Sequence, residues 1–173
     1  EWNVFVGHEA GKSVTTAYAT VAVGKSALPA VTTGADNIGI GTQAGNAITT
    51  GQGNILTGSY AGLSLTTGQQ NTFTGYFAGR NATTARYSTG IGPNALGNGT
   101  MTGDDNIGIG RKSGYNISTG YGNSLVGYKA GEDLTTGILN TFIGYNAGSN
   151  ATGSNNTILG HGAAASAVGV SNE

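Results

Sequence analysis

NTFIGYNAG, residues 140–148, is the stretch against which the rest of the chain aligns. Its relatives include NTFTGYFAG from Asn71 and NIGIGTQAG from Asn37. Taking the residue before each hydrophobic triplet as position one, units begin at Asn3, Thr20, Asn37, Asn54, Asn71, Ser88, Asn106, Asn123, Asn140 and Asn156. Successive gaps are 17, 17, 17, 17, 17, 18, 17, 17 and 16 residues. A fixed period of this length marks a stacked-repeat architecture and overrides any local reading of secondary structure.

Each column of the repeat has a physical job. Position five is glycine in every unit: Gly7, Gly24, Gly41, Gly58, Gly75, Gly92, Gly110, Gly127, Gly144 and Gly160. Such a column marks either a backbone with positive φ or a place where another backbone leaves no room for a Cβ, so a coil corner and a tight interchain seam both fit. Position eight is always Ala or Ser, as at Ala44, Ala61, Ala78, Ser113, Ala130 and Ala147, which suits a thin interior. Position four (Val, Ile, Leu or Thr) and position twelve (Val14, Val31, Ile48, Leu65, Ile117, Leu134) are expected to supply most of the core.

Positions one to five are β-branched and too short for a helix, so a strand is expected there, with a second short strand near positions eleven to fourteen. Asn stands at position one in eight of ten units, among them Asn37, Asn54, Asn71, Asn106, Asn123, Asn140 and Asn156. Two readings fit it: a ladder of amides bonding coil to coil, or a local turn cap. In the Thr-Thr-Gly tail, as at Thr49-Thr50-Gly51, one threonine of each pair should face solvent. Residues 1–155 form the tandem repeats and 156–173 an atypical last repeat and tail, with the pattern lost after Ala164. Around Gly97-Asn98-Gly99 an extra residue predicts a protruding loop. Glu1-Trp2 hold the last two positions of a preceding unit, as in a piece cut from a longer chain.

Composition sets limits. With 33 Gly in 173 residues but no three-residue period, the chain is not collagen, and its Val and Ile content argues against disorder. Seven Lys and Arg scattered over a chain of net charge −1 offer no phosphate-binding stripe, so nucleic acid is not an expected partner. No apolar run approaches 18 residues, so membrane insertion is not expected, and there is no cysteine framework. The fold class is therefore all-β: a β-solenoid (β-roll or β-helix) of about ten 17-residue coils. Coils this thin bury little apolar area against an ordering cost of about 1.5 kcal/mol per residue, so a homo-oligomer is expected, a homotrimer foremost.

At this point the units resemble the NTFIGYNAGSNATGSNNTILG-type tandem repeats of phage tail fibres and fibre-like surface proteins, over essentially the whole chain. The stretch SNNTILGHGAAASAVGVSNE, residues 154–173, is similar to the segment that leads, in such fibres, into a C-terminal intramolecular chaperone of the endosialidase type. The N-x-x-x-G-x-x-A frame is more distantly similar to the β-roll heads of trimeric autotransporter adhesins, whose units are shorter. The resemblance implies an extracellular homotrimeric fibre, on a virion tail or a cell surface, that attaches to a host receptor and joins other fibre or tail proteins.

The hexapeptide acyltransferase reading needs an aliphatic six residues after position four, but position ten holds Lys12, Asn46, Arg80, Tyr115, Glu132 and Ser149. His8 and His161 share one repeat position nine units apart, too far to act together in one rod. Asp36, Asp104, Asp105, Glu132 and Asp133 form no calcium-loop pattern, and Asp104-Asp105 reads as a solvated turn. No enzyme, metal or cofactor is expected. For binding, exposed aromatic rings offer stacking faces to sugars, and the candidates are Tyr76, Tyr128 and Tyr145 at position six with Tyr60 and Phe77 at position seven. The alternative is that these rings cover the core or pack between subunits. A remaining functional class is ice binding through threonine ladders. Against it, adjacent threonines point to opposite faces of a strand.

Overall fold

A computed structural model of the chain describes residues 2–164. It is an all-β solenoid of ten three-residue strands, one per repeat: β1 (Val4–Val6), β2 (Val21–Val23), β3 (Ile38–Ile40), β4 (Ile55–Thr57), β5 (Thr72–Thr74), β6 (Thr89–Ile91), β7 (Ile107–Ile109), β8 (Ser124–Val126), β9 (Thr141–Ile143) and β10 (Thr157–Leu159). They form one parallel sheet in strict chain order, and each strand pairs with its counterpart in the next repeat, as in Val21↔Ile38 and Ile38↔Ile55. At about 4.8 Å per coil the nine steps span roughly 43 Å. The 18-residue and 16-residue units keep the register, with Thr89↔Ile107 and Thr157↔Thr141 paired.

Among the described residues, the second strand expected near positions eleven to fourteen does not form. Positions seven and seventeen are left-handed in most coils, as at Gln43 (φ 55°), Phe77 (φ 58°), Asp36 (φ 57°) and Gln70 (φ 54°), and a tight turn lies between. Its closing bond runs from position twelve to position nine, as in Ile48 N to Gly45 O at 3.1 Å. The extended run is cut too short to count as strand. Hydrogen bonding to the neighbouring coils nevertheless continues around the perimeter, through bonds such as Leu28 N to Ala44 O, Thr49 N to Thr66 O and Gly53 N to Ala35 O.

The position-five glycines satisfy both of their possible reasons at once, and the close backbone belongs to the same chain. Gly58 has φ +127°, and a Cβ there would stand 2.6 Å from the Gly75 carbonyl oxygen. The column is therefore an intrachain coil corner, not an interchain seam.

Burial corrects the expected core. Position four points outward, with Ile40, Ile91, Ile109 and Ile143 near two-fifths exposed, whereas position three is buried, as at Leu56, Phe73, Leu125 and Phe142. Strand alternation allows only one of the two to face inward. Column three was masked in the sequence by Gly39, Gly90 and Gly108. In those coils a neighbour fills the space: Leu28 Cγ would lie 2.6 Å from a Cβ on Gly39, and Leu96 Cγ 2.9 Å from one on Gly108. Both leucines stand at position nine, glycine in most other units, and accept left-handed backbones (φ 47° and 50°). Positions eight and twelve are interior as expected, with Ala44, Ala61, Ser113, Ile48, Leu65 and Leu134 buried. The extra residue of the sixth unit is taken into the coil wall instead of protruding. Gly97 is buried, Asn98 N and Gly99 N share the Tyr115 carbonyl, and Met101 joins the core.

The Asn column resolves into a ladder that is also a coil clasp. Asn54 Nδ2 donates to Asn37 Oδ1 in the coil before (3.0 Å) and to Gly68 O, fourteen residues on in its own coil (3.0 Å). Its Oδ1 accepts from the backbone N and the Nδ2 of Asn71. The pattern recurs through Asn106, Asn123, Asn140 and Asn156. Thr20 and Ser88 interrupt it, and the next amides, Asn37 and Asn106, turn one donor to Gly34 O and Gly103 O.

Replacing Asn54 by Ala should therefore cost about 3–5 kcal/mol, because several buried donors and acceptors lose partners together. Asn54→Ser should cost roughly half as much, since Ser88 Oγ already accepts the Asn106 N–H. Leu28→Ala should cost about 3–5 kcal/mol, because Gly39 and Gly45 leave nothing to close the cavity. Denaturant unfolding of the three variants checks these values.

Candidate functional site

Past the position-five corner the chain turns onto the flank of the rod, and the repeat brings like positions to about 4.8 Å apart. That spacing is a ring-stacking distance. In coils seven to ten, position six carries Arg111, Tyr128, Tyr145 and His161. The rings stack at 4.8 Å (Tyr128–Tyr145, 29° between planes) and 5.1 Å (Tyr145–His161, 12°). The Arg111 guanidinium lies 4.9 Å from the Tyr128 centroid and donates to its Oη at 3.1 Å. In coils four and five, Tyr60 stacks on Phe77 at 5.0 Å, Tyr76 tilts onto Phe77 at 4.1 Å, and Arg80 sits 4.6 Å from the Phe77 centroid.

The five aromatic candidates thus fall into two clusters on one flank, coils four to five and eight to nine. None belongs to the buried core; Tyr76 and Tyr145 are half exposed. Their faces are largely occupied, since Tyr128 lies between Arg111 and Tyr145, and Tyr145 between Tyr128 and His161. What they present outward is ring edges and phenol groups, suited to hydrogen bonding more than to stacking on a sugar. His8 stands at the far end of the sheet from His161.

On the opposite flank lies a polar depression of ≈ 340 Å³, lined by Thr67, Gln69, Thr84, Arg86, Thr102 and Asp104. It is built from positions fourteen and sixteen of three consecutive coils. The first hydroxyl of several threonine pairs bonds the coil beyond, as in Thr66 Oγ1 to Thr83 O at 3.1 Å, while the second (Thr67, Thr84) is exposed; at Thr49-Thr50 and Thr135-Thr136 both are exposed, where one of each pair is expected to be. Arg86 reaches Asp104 at 3.0 Å, and Asp104 also accepts the Arg86 backbone N–H, so the acidic turn fastens two coils. The sequence alone does not mark this site. Its only trace there is a polar position sixteen at Gln52, Gln69, Arg86 and Asp104. A wider depression of ≈ 530 Å³ lies at the first coil, lined by Trp2, Asn3, Val14 and Tyr18 among others.

The outer face of the sheet is the third surface. Its twenty side chains, positions two and four of the ten strands, comprise thirteen Val, Ile or Leu and seven Thr or Ser, with no charge. Among the described residues no three His, Cys, Asp or Glu side chains come together as metal ligands would. Comparison with known protein families, curated proteins and solved structures gives no match.

Of the shifted ionisable groups, Glu9 and Lys12 are exposed and Lys129 is partly buried. Lys12, hydrogen-bonded to Glu9 at 2.8 Å, holds the Glu9 carboxyl below its ordinary range and is itself raised by it. Lys129 is raised by its bond to Glu132 at 2.9 Å. A lowered carboxyl contributes above its unfolded pKa and is lost as pH falls; a raised lysine contributes below its unfolded pKa and is lost as pH rises. Both contributions are complete between about pH 5.5 and 9. The thermal midpoint should accordingly be flat across that window, which melts at several pH values would check.

Proposed function

We propose that this chain is a structural segment of an extracellular homotrimeric fibre, of the phage tail-fibre or adhesin kind, that carries a surface for attachment to cell-surface carbohydrate and catalyses no reaction. The supporting observation is the unbroken register of ten coils around a single packed interior, clasped internally by amides. Such a stack gains length with each repeat and resists bending, because every coil is hydrogen-bonded to its neighbours. It transmits reach without needing a cavity. Attachment falls to the flanks. The Thr67–Asp104 depression offers hydroxyl, amide, guanidinium and carboxylate groups of the kind that orient sugar hydroxyls, and the tyrosine edges of the other flank add phenols.

Light scattering should give a particle of about three times 17.1 kDa, and a stable monomer at micromolar concentration would sink the fibre reading. On a glycan array, binding should drop at least tenfold in a Gln69→Ala, Thr84→Val double variant whose melting is unchanged. Unchanged binding would move attachment away from that flank. Ice binding has less support: the exposed threonines at Thr67, Thr84 and Thr102 run beside Gln69, Arg86 and Asp104, whose long and charged side chains break a flat hydroxyl face.

A further inference from the structure

We infer that the outer face of the parallel sheet is where copies of this chain meet, and that they meet side by side, parallel and in register. The inference rests on the proposed self-association for the number of copies and adds to it the face and the polarity. Thinness of the coils does not carry it. The single chain exposes 7341 Å², no more than the roughly 7,800 Å² of a globular monomer of its mass. What carries it is the kind of surface left outside.

Nine of the thirteen aliphatic residues on the face are 38–73% exposed, among them Val6, Ile40, Ile91, Ile109 and Ile143. Together they present roughly 800 Å², more than the largest apolar patch of an ordinary monomer and comparable with what each partner contributes to a standard interface. The side chains are β-branched and stiff, aligned in two straight columns, so little side-chain entropy is lost when they are covered. An uncharged face of this kind carries nothing that would repel a second copy laid against it.

The charges beside the face give the polarity. Along the flank that follows the strands, positions six and seven carry Lys25 and Arg111, together with Lys112 and Lys129, which Glu132 holds, against one acid, Glu9, which is held by Lys12. Along the flank that precedes them, positions sixteen and seventeen carry Asp36, Asp104 and Asp105, against one base among the described residues, Arg86, held by Asp104. Lys25, Arg111, Asp36 and Asp105 make no ion pair among the described residues. They also come at matching or adjacent heights. Asp105 precedes β7 and Arg111 follows it; Lys25 follows β2 and Asp36 precedes β3, one coil away. In a ring of parallel chains whose sheets face the axis, the basic flank of each copy meets the acidic flank of the next at the same level. Antiparallel pairing would set like flanks against each other.

The test compares particle mass for the unmodified chain and for Ile40→Lys with Ile109→Lys, outward positions whose change leaves the core intact. The expected result is a fall from three times to one times the chain mass with the β-sheet circular dichroism retained. If the double variant keeps the full mass, the face is wrong while the fibre reading stands; if the unmodified chain is already monomeric, both fall. Because the chain has no cysteine, polarity is read separately. Lys25→Cys combined with Asp36→Cys, treated with a short bifunctional thiol cross-linker, should give covalent multimers on a denaturing gel, and neither single variant should. Multimers from Lys25→Cys alone, or none from the pair, would overturn the parallel arrangement even if the lysine variants failed to fold.

Discussion

Inside each coil a neutral amide does two things at once. The Asn side chain at position one reaches across the interior to a carbonyl fourteen residues on, closing its own coil, and shares its oxygen with the coil above. An amide has two donors and an acceptor with two lone pairs, the set that this double duty needs. Because a buried amide without partners is costly, the ladder is stable only when the coils are in strict register. The repeat length follows from that demand. Where one unit is a residue longer and another a residue shorter, the difference is absorbed in the wall, and the Asn and Gly columns stay aligned.

The corner glycines set the second constraint. With the next coil's carbonyl pressed against the place of a Cβ, the stacking distance is fixed by backbone and leaves no freedom to the side chains. Core volume then has to be met coil by coil, and it is met in two ways: from the strand, by Leu56, Phe73, Leu125 and Phe142, or from the far wall, by Leu28 and Leu96, opposite Gly39 and Gly108. The interior is a shared volume, and neither column alone describes it. Such exchange is what close packing permits when total volume is conserved.

Outside, the same periodicity turns single residues into stripes. One residue type repeated every 17 positions becomes a stack of rings, a row of hydroxyls or a column of isoleucines, each at the sheet spacing. This makes a flat apolar face bordered by opposite charges without any loop or added domain, and it separates that face from the polar flank proposed for attachment.

The sequence by itself determined the period, the all-β solenoid, the glycine column at position five, the small-residue column at position eight and the aliphatic column at position twelve. Each is a local steric requirement, repeated often enough in one chain to be read without a partner. Only the tertiary structure decided which of positions three and four faces inward, because the choice depends on where the coil closes and on Leu28 and Leu96 filling space from the opposite wall. It also decided that the aromatic candidates stack on one another, leaving mainly ring edges outward, and that Thr67, Gln69, Thr84, Arg86, Thr102 and Asp104 line one depression. Those six residues are spread over 38 positions of chain, and stacking alone brings them together.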